Sequence, residues 1–252
     1  MAAAPRFHCA TELSTGAHLD LPPGAARHVQ VLRLQPGANI TLFGGLAGSA
    51  KGGEFMATIT AMGRQSVQVL VGQHTPVERE TNRRLYLAVG IPANERMDWL
   101  VEKATELGVA EIQPLMTERT VVRLDPQRGL KKLAHWQSIA VAACEQCGRN
   151  RLPVLHAPMA LTEWLRQQTT DAGSPQRAAL VLSLAEGKTA LRDWSTRNAG
   201  HDAEIRLLCG PEGGLSAAEE TLALGAGLAP VSLGARVLRS ETAALAALTL
   251  LG

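Results

Sequence analysis

The stretch Leu207-Leu208-Cys209-Gly210-Pro211-Glu212-Gly213-Gly214-Leu215-Ser216-Ala217-Ala218-Glu219-Glu220 admits few backbone paths. Its apolar start reads as a short buried strand that ends at Gly210. A turn rich in Gly and Pro follows. Ser216 with Glu219 three residues on has the spacing of a capping box, which predicts a helix beginning at Ser216. Strand, glycine turn and helix start together put free backbone N–H groups beside positions without Cβ. Such a corner can hold a carboxylate, a phosphate or a flat ligand against the main chain. An ordinary βα turn that needs glycine for its dihedrals has the same pattern, and on this stretch alone the two readings stand even.

A second stretch, Pro230-Val231-Ser232-Leu233-Gly234-Ala235-Arg236-Val237-Leu238-Arg239-Ser240-Glu241-Thr242-Ala243-Ala244, repeats the order strand, glycine turn, helix. Its turn carries Arg236, Arg239 and Glu241, and the helix after it is rich in small residues. Two such turns so close in sequence can share the edge beyond the carboxyl ends of parallel strands, where open α/β sheets bind ligands.

Upstream, the pattern divides the chain. Residues 1–73 read as β, with short apolar runs at Asn39 to Phe43, Glu54 to Ala61 and Ser66 to Val71. Pro22-Pro23-Gly24, Pro36-Gly37 and the 44–53 hairpin loop punctuate them, which predicts a small barrel. One helix is predicted near Gly24 to Leu34. Gln73 to Arg83 is polar and reads as a linker. From Arg84 the period changes. Leu85 to Gly90 is a strand, and Asn94 can cap a helix with Met97, Leu100, Val101, Ala104 and Leu107 on one face, stopped by Gly108. A strand at Glu111 to Met116 follows, then a helix from about Leu130 to Cys147, stopped by Gly148. Leu152 to His156, Leu161 to Gln168, a loop over 171–176 and Ala178 to Leu184 continue the alternation. This order implies a parallel sheet with helices on its faces.

Composition sets limits. With 46% apolar and 19% charged residues the 252-residue chain is of the globular type, long enough for one large domain or two smaller ones. MAAAPRFHCATELS lacks a charged region followed by an apolar core, so no secretory signal is expected. The uncharged run Thr221 to Ala235 is too short, and too broken by Gly and Pro, to span a bilayer. A net charge of +2 does not argue for nucleic acid, but 20 Arg against 5 Lys favours the residue suited to bidentate phosphate contacts. Biased genomic composition explains the same excess. Cys9, Cys144, Cys147 and Cys209 are widely spread, which predicts reduced thiols in a cytoplasmic protein. Cys144 and Cys147 form a C-x-x-C late in a helical run, with no second pair, so neither zinc nor redox chemistry is expected there. No metal cluster is visible, and no G-x-G-x-x-G follows a strand. Trp99, Trp136, Trp164 and Trp194 sit at helical positions and read as packing residues.

GPEGGLS followed by LGARVLRSETAA resembles the paired cofactor loops of the SPOUT class of RNA methyltransferases. Pro5-Arg6-Phe7, His28-Val29-Gln30-Val31-Leu32-Arg33-Leu34, Lys103-Ala104-Thr105-Glu106-Leu107-Gly108-Val109 and Glu145-Gln146-Cys147-Gly148-Arg149 narrow the likeness. Spread in order over nearly the whole chain, they resemble the bacterial small-subunit ribosomal RNA (uracil-N3)-methyltransferases. The resemblance implies an α/β fold with a PUA-like β-barrel RNA-binding domain over 1–73 and a knotted, trefoil SPOUT methyltransferase domain over 74–252. It also implies S-adenosylmethionine as methyl donor, 16S ribosomal RNA of the small subunit as partner, and a homodimer without metal or membrane. Sequence physics alone argues against a knot.

Carried onto this chain, the resemblance implies cofactor binding by Leu182, Leu208, Cys209, Gly210, Pro211, Gly213, Gly214, Ser232, Leu233, Gly234, Val237, Leu238, Arg239 and Thr242. The candidates for chemistry are Glu212, Arg236, Arg239 and Arg149, the last acting across subunits. Each has a plainer reading: Glu212 satisfying turn amides, the two arginines paired with Glu241 or a neighbouring carboxylate, Arg149 at a helix C-terminus. Arg6, His28, Arg33, Arg119, Arg149 and Arg151 are the candidates for RNA contact. Lys103 and Glu106 match the family pattern and also read as helix surface charges. Two other functions stay open: a knotted methyltransferase acting on a ribose 2′-oxygen or a transfer RNA guanine, and a ribosome-assembly RNA-binding protein without catalysis.

Overall fold

A computed structural model describes residues 4–44, 52–93, 95–170, 177–185, 187–198 and 204–252. Asn94, the 171–176 loop and most of the 44–53 hairpin loop lie outside the described residues. The chain divides into two compact units, one of residues 1–80 with 141–152, the other of 81–140 with 153–252.

The first unit holds strands β1 (Arg6–His8), β2 (His18–Asp20), β3 (Asn39–Phe43), β4 (Glu54–Met62) and β5 (Val67–Thr75), with helix α1 (Pro23–Val31) between β2 and β3. They form one sheet in the order β1-β3-β4-β5-β2. Alternation decides which side chains go inward. In β5, Val67, Val69 and Val71 are buried while Gln68 and Leu70 are exposed, as the two-residue period of a strand requires. Phe7, Ile40, Leu42 and Ile59 join them, and α1 closes this core with Ala25, Ala26 and Val29. Pro23 stands in the first turn of α1, where its fixed φ and missing N–H suit a helix start. β5 runs on to Thr75, into the segment read as a linker.

The second unit opens with β6 (Arg84–Gly90), α2 (Arg96–Glu106) and β7 (Glu111–Met116). Helix α3 (Pro126–Cys147), whose residues from 141 on belong to the first unit, and the short strands β8 (Val154–Leu155) and β9 (Met159–Ala160) come next. Then follow α4 (Leu161–Thr170), β10 (Arg177–Leu182), β11 (Thr189–Ala190), α5 (Leu191–Asn198), β12 (Glu204–Cys209), α6 (Ala217–Gly225), β13 (Ala229–Ser232) and α7 (Ser240–Leu251). The sheet order is β11-β13-β10-β12-β6-β7-β8, with β9 also on β7. Every pairing is parallel. One face packs Met97, Leu100, Val101 and Ala104 of α2 and Ala244, Ala247, Leu248 and Leu251 of α7 against Leu85, Leu87, Ile205 and Leu207. The other packs Trp164 and Leu165 of α4 and Ala223 of α6 against Ala88, Val181 and Leu208. Neighbouring strand residues thus bury on opposite faces, so the strands read as near-continuous apolar runs.

Gly108 and Gly148 close α2 and α3 at φ +85° and +89°, the left-handed conformation that favours glycine at a helix end. Helix α3 starts earlier than predicted, at Pro126. Asp125 Oδ1 accepts a hydrogen bond from Arg128 N at 2.9 Å, so Asp125 caps the helix and Pro126 takes its first position. Helix α5 has no predicted counterpart: it is short and mostly polar, and is tied in by Leu191, which is buried, and Ser195. Trp136 and Trp164 are buried packing residues, whereas Trp99 is 45% exposed. All four cysteines are free. Burial pushes the Cys144 thiol up to about 12 and raises that of Cys209 as well, so both remain protonated near neutrality. No described helix is long and apolar enough to cross a membrane, and the described residues hold no cluster of three metal-ligating side chains.

Candidate active site

Strands β10, β12 and β13 lie side by side and parallel, so their carboxyl ends open on one edge of the sheet. The segments that leave them enclose a cavity of about 190 Å³. Leu182, Ser183 and Leu184 contribute from the end of β10. The glycine turn 209–215 contributes after β12, and Val231 to Gly234 with Arg236, Val237 and Leu238 after β13. Ser240 and Ala243, on the first turn of α7, complete the wall.

The turn between β12 and α6 is held from several sides. Ser216 Oγ accepts from Glu219 N at 3.2 Å while Glu219 Oε2 accepts from Ser216 N at 2.9 Å, so the capping box forms as its spacing predicts. Glu219 also accepts from Glu118 N at 2.7 Å. Gly214 N donates to Pro211 O at 2.8 Å within the turn. Arg119 donates to Gly213 O at 2.6 Å. At Gly210 a Cβ would lie 2.7 Å from Leu215 N and 2.8 Å from Gly214 C, so no side chain fits while the turn keeps this path. Gly214 and Gly234 need glycine for another reason, φ values of +68° and +112°, and a Cβ on either meets no atom within 4 Å. The lack of Cβ at these two positions leaves open space against the main chain.

Of the residues proposed for cofactor binding, Leu182, Cys209, Gly210, Pro211, Gly213, Gly214, Ser232, Leu233, Gly234, Val237 and Leu238 come together around this cavity. Leu208 points into the core instead. Thr242 lines a larger cavity of about 870 Å³ with Ile91, Arg96, Trp99 and Glu241. Arg239 is the exposed N-cap residue of α7. Ser183 and Leu184 also belong to the wall, beyond the residues the resemblance implies. Their signal was positional, since they follow a third parallel strand.

Among the candidates for chemistry, Glu212 and Arg236 line the cavity. Among the described residues, the partners of Glu212 lie outside its own turn. Its Oε1 accepts from Ala93 N at 2.8 Å and from Arg96 at 3.1 Å. Glu241 is also near Arg96, at 3.9 Å, rather than paired with Arg236 or Arg239. Those two side chains are exposed and have no ion-pair partner among the described residues. Arg149 belongs to the other unit. Its side chain is 4% exposed and binds Glu80 through Nε at 3.2 Å and Nη2 at 2.6 Å.

The candidates for RNA contact separate in the same way. Arg6 is enclosed, bonded to Glu54, to Asn150 Oδ1 at 2.7 Å and to Gly148 O at 3.2 Å, with its guanidinium over the Phe43 ring. Burial opposes ionisation of Glu54, yet hydrogen bonds from Arg79 and Arg6 outweigh it and hold the carboxyl below its ordinary range. Arg151 pairs with Glu78 at 3.3 Å, and His28 stands 3.4 Å from Glu145 with about half of its side chain exposed. Arg33 is exposed just past the end of α1, at φ +55°. Arg119 turns towards the glycine corner. Lys103 is held between Glu102 and Glu106, each at 2.7 Å, as a helix surface group.

A parallel α/β sheet with paired glycine corners at its carboxyl edge is the architecture of a ligand-binding α/β domain, and residues 78–252 match the RNA methyltransferase domain family. The chain is 31% identical to ribosomal RNA small subunit methyltransferase E of Bacillus subtilis, over 88% of this chain and 84% of that protein. The protein of the same name from Neisseria gonorrhoeae, solved bound to S-adenosyl methionine, is 37% identical. It superposes with a TM-score of 0.87 over 98% of this chain and 96% of its own. A methyltransferase of Legionella pneumophila, solved with bound SAM, is 38% identical with a TM-score of 0.88, covering 99% and 97% of the two chains. The chain belongs to the ribosomal RNA small subunit methyltransferase E family.

Proposed function

We propose that this chain is an S-adenosylmethionine-dependent methyltransferase that modifies N3 of a uridine in 16S ribosomal RNA of the small subunit. The observation that carries the proposal is the cavity that gathers the ends of β10, β12 and β13 around two glycine corners. Its fit to the cofactor rests on Gly214 and Gly234, where a Cβ would project into empty space. When bound, the cofactor supplies a methyl group on a cationic sulfur.

The remaining work falls to the protein. Uracil N3 carries a proton with a pKa above neutrality, so the site must remove that proton and steady the negative charge left on the ring. Arg236 and Arg239, exposed and without carboxylate partners among the described residues, are suited to that charge, in the manner of an oxyanion stabiliser. Glu212, beside the cavity, is suited to favour a cation. Much of the rate then comes from positioning and electrostatics. Within the first unit, Arg33 and His28 are exposed and suited to phosphate. The enclosed Arg6 and Arg149 are suited to holding that unit together.

The finer features of the reading rest on the family resemblance. They are a PUA-like barrel for RNA over 1–73, a trefoil knot in the methyltransferase domain over 74–252, a homodimer, and action in the cytoplasm. Titration calorimetry with S-adenosylmethionine tests the proposal: saturable binding near one equivalent per chain is expected. No binding would leave an RNA-binding protein without catalysis. Sedimentation at micromolar concentration tests the dimer, which a monomer-only profile contradicts.

A further inference from the structure

Arg96 lies in neither glycine corner, yet it reaches both. Its Nη1 donates to Glu212 Oε1 at 3.1 Å, and its Nε lies 3.9 Å from Glu241 Oε1. Glu212 belongs to the turn after β12, and Glu241 to the first turn of α7. Among the described residues Glu212 also accepts from Ala93 N at 2.8 Å, while Glu241, in ion-pair rather than hydrogen-bond range of Arg96, accepts from the Ser240 hydroxyl at 3.2 Å. Glu241 is 9% exposed, so its charge is poorly hydrated and depends on a nearby cation. Glu212 and Ser240 both line the proposed cofactor cavity, whereas Arg96 and Glu241 line the larger cavity beside it. The guanidinium therefore stands behind two walls of the cofactor cavity.

We infer that Arg96 is a positioning residue. By spanning Glu212 and Glu241 it fixes the spacing between the glycine turn and the start of α7, and so the width of the cofactor cavity. Arginine suits this task because its planar fork presents separate donors to two acceptors, whereas the single ammonium of lysine must favour one. Without a cation, two carboxylates would face each other across the gap and the walls would move apart. The inference rests on the cavity being the S-adenosylmethionine site.

The test is calorimetric titration of S-adenosylmethionine into the full chain and into Arg96→Met, Arg96→Lys, Glu241→Gln and the Arg96→Met/Glu241→Gln double variant. RNA affinity is measured on the same proteins. Arg96→Met is expected to weaken cofactor binding about tenfold, a size usual for contacting charged groups, with RNA affinity unchanged. Arg96→Lys should recover part of the loss. The double variant should bind no more weakly than the weaker single variant, because both substitutions break one bridge. Wild-type affinity in Arg96→Met, or losses that simply add in the double variant, would overturn the inference. If Arg96→Met does not fold, Arg96→Lys and Glu241→Gln decide the question: wild-type affinity in both overturns it. A wild-type chain that fails to bind S-adenosylmethionine would instead remove the functional proposal on which the inference rests.

Discussion

Gly234→Val separates a cofactor corner from an ordinary turn. At φ +112° only glycine is at ease. A side chain there costs about 1–3 kcal/mol of backbone strain, towards the upper end for a β-branched residue. The Cβ itself meets no atom within 4 Å, so backbone strain rather than contact of the Cβ sets this cost. Where the strain is felt depends on how firmly the turn is held. Residues 233–238 make no backbone hydrogen bond to a described residue, so in the free protein the turn can relax towards a more negative φ. Stability should then change little. Cofactor binding must restore the original path, and the same 1–3 kcal/mol becomes a loss of affinity of about 5- to 150-fold. Gly210→Ala makes the opposite case. Its Cβ would lie 2.7 Å from Leu215 N and 2.8 Å from Gly214 C, and overpacking against backbone costs about 1–3 kcal/mol in stability. Calorimetric titration with S-adenosylmethionine and thermal melts on both variants provide the readout. Gly234→Val should melt close to wild type and bind weakly, and Gly210→Ala should melt lower. Unchanged affinity in Gly234→Val would refute the assignment of this turn.

Arg33→Ala should weaken RNA binding and lower its salt slope by roughly 0.7 to 0.9, the effect of one lost phosphate contact. Arg6→Ala should instead lower the melting temperature, since its guanidinium holds Glu54 and Asn150; equal salt slopes for the two variants would contradict this division. Arg239→Ala should lower the single-turnover rate at saturating RNA by ~10²–10³, the size expected for one electrostatic stabiliser; a wild-type rate would move that role to Arg236 or Glu212. The Glu54 carboxyl is held below its ordinary value of 4.5 in the folded chain. Its contribution to stability is therefore fully present above about pH 4.5 and is lost as pH falls through the lower folded value. Glu54→Gln should flatten that part of the acid unfolding profile, and an unchanged acid limb would show that Glu54 does not contribute to it.

Legibility followed the range of the interactions. The capping box at Ser216 and Glu219, the glycine stops at Gly108 and Gly148 and the alternation of β5 are local, and local spacing carries them. The helix start at Asp125-Pro126 is equally local but lies outside the apolar period of α3, which marks the helix only from about Leu130. Side-chain partners were not legible. Glu212 is 116 residues from Arg96 and 119 from Ala93, and no spacing rule links such positions. Arg6, Arg33 and Arg149 read alike as basic candidates, yet two are enclosed and one is exposed. That difference depends on where Glu54 and Glu80 stand in the fold. Thr242 and Ala243 are adjacent in sequence but face different cavities, because the first turn of α7 is the wall between them.

The proposed reaction is methyl transfer to N3 of a uridine in small-subunit ribosomal RNA. Its most direct test incubates the purified protein and S-adenosylmethionine with small subunits, and with their free RNA, from a strain lacking this enzyme. Nuclease digestion and mass spectrometry of the nucleosides then follow. Stoichiometric 3-methyluridine at one position is expected. No methyl transfer, or a methyl group on a ribose 2′-oxygen or on guanine, would contradict it.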